Sequence, residues 1–289
     1  MADRREELEL RPLLVASLSI GPSAKGVSLV LVGCAAMWFS TWEEYHTGTL
    51  YLGYFNGPTE GVLIACAIHV VSAAFGPQIW LHQVKSFGIL RWMTPEFHLY
   101  DVVVCAAFLS LFFIHFPECI ANVYKSRRAA GQPFLPILAQ HFPFLLFVGL
   151  ACSWVLSPSS HVLAHGLSYD AHRGRTIGGL IEFTLLVMFA FGKLGPRVIL
   201  ARLTRGSFPW LNFGTFAPLS VGAVYVNLGM VIDGFHPSAQ TERLLLHTAV
   251  LASGFAFLHW SHFLIEGFTN TLGINCFTIK AKPSIEHKA

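Results

Sequence analysis

Long apolar runs separated by short polar connections organise almost the whole chain. Seven runs stand out: Gly26–Trp42, Gly61–Trp80, Val102–Ile120, Phe134–Leu156, Ile177–Leu194, Phe213–Ile232 and Leu244–Ile265. A bilayer core takes about 20 apolar residues per helix, with a range of about 17–25, so each run predicts a membrane span. The first and fifth are short for that purpose. Pro136 and Pro143 in the fourth predict a kink or a late start. No strand-like alternation is sustained and no internal repeat is visible. The pattern predicts an all-α, polytopic helical membrane bundle of about seven transmembrane helices. Its divisions are a polar N-terminal segment (1–25), the bundle (26–265) and a C-terminal tail (266–289).

Composition sharpens this picture. Charged residues make up 12% of the chain, against about 25% in soluble domains, too few to cover a water-facing surface. A soluble domain, a nucleic-acid binder and a secreted disulfide scaffold are thereby excluded. The net charge of +3 points to no partner. Met1–Arg11 mixes acidic and basic residues and does not read as a signal peptide, and Pro12–Ile20 is too short to span. Lys and Arg split nine against ten between the two sides of a seven-helix bundle, which leaves the orientation undecided. The six cysteines form no C-x-x-C pair and read as small packing residues.

Candidate chemistry concentrates after the first run, from Ser40 to Gly61. Trp42, Tyr45, Tyr51 and Tyr54 suit an aromatic belt at the headgroup level. Glu43, Glu44, His46 and Glu60 add acid–base groups with no Lys or Arg among them. One reading is an interfacial loop, with Asn56 or Thr59 capping the second helix and Glu60 on its positive end. The other is a membrane-surface site that holds a substrate or deprotonates a hydroxyl. Glu182 lies five residues into the fifth run and is either intramembrane and functional or interfacial and solvated. His69, His115, His141, His247, His259 and His262 read singly as interhelical hydrogen-bonding residues. His259 and His262 share a face, with Glu266 as their only acidic neighbour in sequence.

The run Thr41-Trp-Glu-Glu-Tyr-His-Thr-Gly-Thr-Leu-Tyr-Leu-Gly53, closing with Asn56-Gly-Pro-Thr-Glu-Gly61, resembles the eukaryotic choline/ethanolamine phosphotransferases, CDP-alcohol phosphatidyltransferases of phospholipid synthesis. Leu272–Lys280 and Gly192–Arg205 are similar to the same family's C-terminal region. The resemblance implies transfer of phosphocholine or phosphoethanolamine from CDP-choline or CDP-ethanolamine to diacylglycerol. It also implies an endoplasmic reticulum or Golgi membrane, a Mg²⁺ or Mn²⁺ cofactor, and compatibility with a homodimer. Glu60 matches the acidic residue at the corresponding helix start and is the candidate base. Glu43, Glu44, His46 and Glu182 are candidate substrate-binding residues.

The family's D-x-x-D-G-x-x-A-R-x8-G-x3-D-x3-D motif, whose aspartates bind two cations, does not occur here. The chain has four aspartates, Asp3, Asp101, Asp170 and Asp233, and the closest two are 63 residues apart. No metal ligands are therefore assigned in this chain. The seven runs match the last seven of about ten helices, and the expectation is a chain that covers the acceptor-lipid half and lacks activity by itself. A non-catalytic lipid-binding or regulatory protein derived from the family is the alternative. An unrelated seven-helix receptor or transporter has only the helix number in its favour.

Overall fold

A computed structural model describes residues 17–49, 57–84, 97–163 and 179–278, with the backbone alone for 57–60. The Glu60 side chain, Tyr51, Tyr54, Asn56, Asp170 and most of the N-terminal segment and C-terminal tail therefore lie outside the described residues. Among the described residues seven long helices follow in order: α1 (Ala24–Thr47), α2 (Gly57–Phe75), α3 (Leu99–Ala129), α4 (Leu135–Val155), α5 (Gly179–Leu203), α6 (Phe213–Met230) and α7 (Ala239–Leu272). All but α2 are long and apolar enough to cross a membrane, and α2 carries the shorter apolar stretch Gly61–Phe75. The described residues contain no strand, only an isolated bridge between Gln83 and His98. The protein is a polytopic helical membrane bundle of about seven spans.

The first helix departs from its expected end at Trp42. It runs on to Thr47, starts at the cap Ser23 and stops at Gly48, whose φ of 79° is the left-handed conformation glycine adopts without strain. Glu43, Glu44 and His46 are thus on the last turns of a helix, not in an interfacial loop. Trp42 is fully buried among protein side chains. The reason is a partner inside: its indole N–H donates to Gln140 Oε1 at 3.0 Å.

Two prolines shape the helices facing α1. Pro143 has no N–H for the Ala139 carbonyl, which instead accepts from Phe142, and the chain tightens into a 3₁₀ turn over Ala139–His141. In α3, Pro117 cannot bond back to Phe113, and the preceding Ser110–His115 winds as a π-helical turn. Both irregular turns present polar side chains to α1.

The main core joins α1, α4, α5 and α6 through fully buried Trp38, Trp42, Phe147, Trp154, Leu186 and Leu219. Trp38 stacks on Phe144 with ring centroids 5.4 Å apart. The α7 helix packs on α5 and α6, while α2 leans on α1 at the periphery. Outward positions are apolar: Phe113, Val70, Leu251 and Phe263 are each about 70% exposed or more. In water such a surface would be prohibitive, whereas lipid tails solvate it.

Candidate functional site

The buried face of α1 carries most of the candidate chemistry and meets α3 and α4. On the α3 side, Asn122 Nδ2 donates to Glu43 Oε1 at 2.8 Å, and Cys119 lies beside the same carboxylate. Glu43 is 4% exposed and has no cationic partner among the described residues. His115, on the π-helical turn, reaches the Ala36 carbonyl at 3.0 Å and Ser40 Oγ at 3.3 Å. On the α4 side, the irregular turn supplies Gln140 and His141. His141 Nδ1 accepts from the Trp38 indole N–H at 3.1 Å.

Hydrogen-bond logic then fixes how His46 is protonated. An indole N–H only donates, so the Gln140 atom bonded to Trp42 is an acceptor oxygen. His46 Nε2 lies 2.7 Å from that same oxygen and must donate to it. A neutral His46 therefore carries its proton on Nε2 and keeps the lone pair on Nδ1. Nδ1 has no hydrogen-bond partner among the described residues. His46 is half-buried, with Trp42 and Tyr45 rings edge-on about it at 5.2 and 5.1 Å. The same logic puts the proton of neutral His141 on Nε2, a buried donor without a partner among the described residues.

Beside this network runs an apolar groove of about 510 Å³ between α3 and α4, lined by Phe116, Ile120, Tyr124 and Phe134. Phe116 belongs to both, since its ring lies 4.6 Å from Phe39 and 6.5 Å from His141. The end of α1 is tied to the end of α5. Tyr45 donates to the Gly206 carbonyl at 3.2 Å, and the Arg202 guanidinium covers the space a side chain at Gly48 would need.

Of the expected site residues, Glu43 and His46 come together on this face. Glu44 is half-buried on the same turn. Glu60 falls in the first turn of α2, with its side chain outside the described residues. Glu182 is elsewhere: buried between α5 and α7, with Oε1 accepting from His247 Nε2 at 2.9 Å and Oε2 without a partner among the described residues. The interhelical reading holds for His115, His141 and His247; His69 pairs instead with Ser17, at 2.7 Å, just before α1. His262 and Glu266 are exposed and 4.0 Å apart.

A further buried carboxylate, Glu242, escapes sequence reasoning. It is 2% exposed and accepts from Trp154 Nε1 (3.1 Å), Ser160 Oγ (2.7 Å), the His161 backbone N–H (2.7 Å) and His161 Nδ1 (3.0 Å). It fastens the connection after α4 to the start of α7.

Among the described residues no three His, Cys, Asp or Glu side chains gather closely enough to hold a metal ion. The described residues do not fit the paired-cation centre that the resemblance implies.

A polytopic membrane bundle whose first helix carries a buried polar network beside an apolar groove is the class of protein these features define. No family model matches the chain. Curated proteins do. It is 26% identical over 274 residues to CDP-alcohol phosphatidyltransferase class-I family protein 3 of Dictyostelium discoideum, covering 89% of this chain and 63% of that protein. It is 25% identical over 252 residues to choline/ethanolaminephosphotransferase 1 of Arabidopsis thaliana, covering 84% and 60%. The protein of that name from Saccharomyces cerevisiae is 26% identical over 260 residues, covering 84% and 59%. The chain is thus similar, over most of its length, to class-I CDP-alcohol phosphatidyltransferases, choline/ethanolamine members included. It spans about 60% of the length of these relatives.

Proposed function

We infer that this chain carries the acceptor-lipid side of a phosphotransferase of the choline/ethanolamine type. In that reaction the diacylglycerol hydroxyl attacks the phosphorus bearing choline or ethanolamine. A new P–O bond forms, the pyrophosphate P–O bond breaks, and CMP leaves. The observation that carries the reading is the tautomer of His46, whose Nδ1 lone pair is held ready by Gln140 and Trp42 for the hydroxyl proton. The groove lined by Phe116 and Ile120 suits an acyl chain, with Glu43 and Glu44 on the same helix end as polar neighbours. Glu60, from the resemblance, is the other candidate base.

Attack on a pyrophosphate requires its charge to be offset. The four aspartates of this chain cannot form the family's motif, and its carboxylates repel an uncompensated diphosphate. We therefore assign no activity to these 289 residues by themselves. By the same resemblance the protein belongs in the endoplasmic reticulum or Golgi membrane, which microscopy of a tagged chain would test.

The functional test is a chimera in which the motif-bearing helices of the yeast relative precede this chain. It is assayed with diacylglycerol, Mg²⁺ and labelled CDP-choline or CDP-ethanolamine. The chimera should form labelled phospholipid, and His46→Ala should lower its rate by about 10²-fold or more. An unchanged rate in His46→Ala with a comparable loss in Glu60→Gln would transfer the role to Glu60. An inactive chimera would favour the non-catalytic, lipid-binding alternative. Labelled product from the unmodified chain above a no-protein control would overturn the assignment of no activity.

A further inference from the structure

A second cleft, of about 590 Å³, lies between the later halves of α5 and α7 and the start of α6. Its floor is basic. Lys193 and Arg197 are four residues apart on α5 and so share a face. Asn212, which begins α6, stands beside them, and the Lys193 ammonium lies close against Gly214 in the first turn of that helix. Two cations and the positive end of a helix dipole thus converge. None of them has an acidic partner among the described residues. Like charges gathered at a half-buried position repel more strongly than in water, and the arrangement is relieved when an anion joins it.

The opposite wall is apolar and amphipathic. Phe255, His259 and Phe263 repeat every four residues along one face of α7, with half-buried Trp260 next to them. Phe255 and Phe263 are more than 70% exposed. The cleft takes in the later half of α5 and the residue that precedes α6, so that basic and aromatic side chains meet in one place. A soluble anion would find the basic floor but waste the aromatic wall. A zwitterionic headgroup would bring its own cation against Lys193 and Arg197.

We propose that this cleft is an accessory site for an anionic phospholipid, with the phosphate on Lys193, Arg197 and the start of α6, and an acyl chain along Phe255, Trp260 and Phe263. The proposal does not depend on the phosphotransferase reading, because it uses none of the residues on the α1 face.

The test is native mass spectrometry of the purified, delipidated full chain with dioleoylphosphatidylglycerol or dioleoylphosphatidylcholine at equal concentrations. The anionic lipid should be retained at about fivefold or greater occupancy. The double substitution Lys193→Gln with Arg197→Gln should bring it down to the level of phosphatidylcholine, while Arg128→Gln on α3 leaves it unchanged. Should the double variant not purify as a folded protein, photolabelling of the unmodified chain with a diazirine-bearing phosphatidylglycerol decides. Adducts should map to residues 255–263. Equal retention of the two lipids, retention insensitive to the double substitution, displacement by millimolar inorganic phosphate, or adducts confined to other helices would each overturn the proposal.

Discussion

A carboxylate inside a membrane bundle persists only where donors surround it, and the buried glutamates meet that condition unequally. Glu242 has four donors from three residues, whereas Glu43 has Asn122 at 2.8 Å and the Cys119 thiol beside it. Replacing Glu242 by Ala strands the Trp154 and His161 N–H groups, at about 1–3 kcal/mol for each buried donor left unpaired. The variant should unfold at a clearly lower temperature in detergent, with Glu242→Gln between it and the unmodified protein. Equal midpoints would show that the cluster does not hold the fold. Asn122→Leu removes one charge-assisted bond and should cost about 1.5–3 kcal/mol in the same measurement. These residues differ in how far the sequence announced them. Glu182 is conspicuous because it interrupts an apolar run, and His46 because it sits in an acid-rich turn without cations. Glu242 looks like any acidic residue in a first helical turn, where the dipole favours it. Its donors come from residues 81 to 88 positions away, a relation that no local pattern encodes.

At the scale of elements, apolar runs locate every helix but blur its ends, since polar residues continue a helix wherever the neighbouring helix offers them partners. That is why α1 extends past Trp42 and α7 starts before Leu244. Proline marks where polar groups emerge: the 3₁₀ turn before Pro143 and the π-helical turn before Pro117 both face α1. Close approach of α6 to α4 depends on Gly222, because a side chain there would meet the Trp154 ring. Gly222→Ala should therefore destabilise the protein by about 1–3 kcal/mol, the usual cost of overpacking. Gly149→Ala, which meets nothing within 4 Å, should be neutral or gain up to about 1 kcal/mol from helix propensity. Thermal midpoints of the two variants in one detergent make the comparison. A tolerated Gly222→Ala would mean that Trp154 can move aside.

The whole molecule is turned outward compared with a soluble protein, with aromatic and aliphatic side chains covering its perimeter. A charge placed there should hinder insertion. Leu251→Arg, at a position 72% exposed near the middle of α7, should raise the cost of inserting that helix by about 2.5–3.5 kcal/mol. A glycosylation reporter fused beyond α7 reads this as a loss of correctly oriented chains, and full insertion would place Leu251 in a polar cavity instead. The longest element carries a further consequence. At 34 residues, α7 is a rod about 51 Å long, against a hydrocarbon core of about 30 Å. Glu242 anchors one end and α5 and α6 grip its shaft, so the rod cannot shorten; it can only lean or stand proud. A thinner bilayer then favours a greater lean, within what the packing of α7 against α5 and α6 allows.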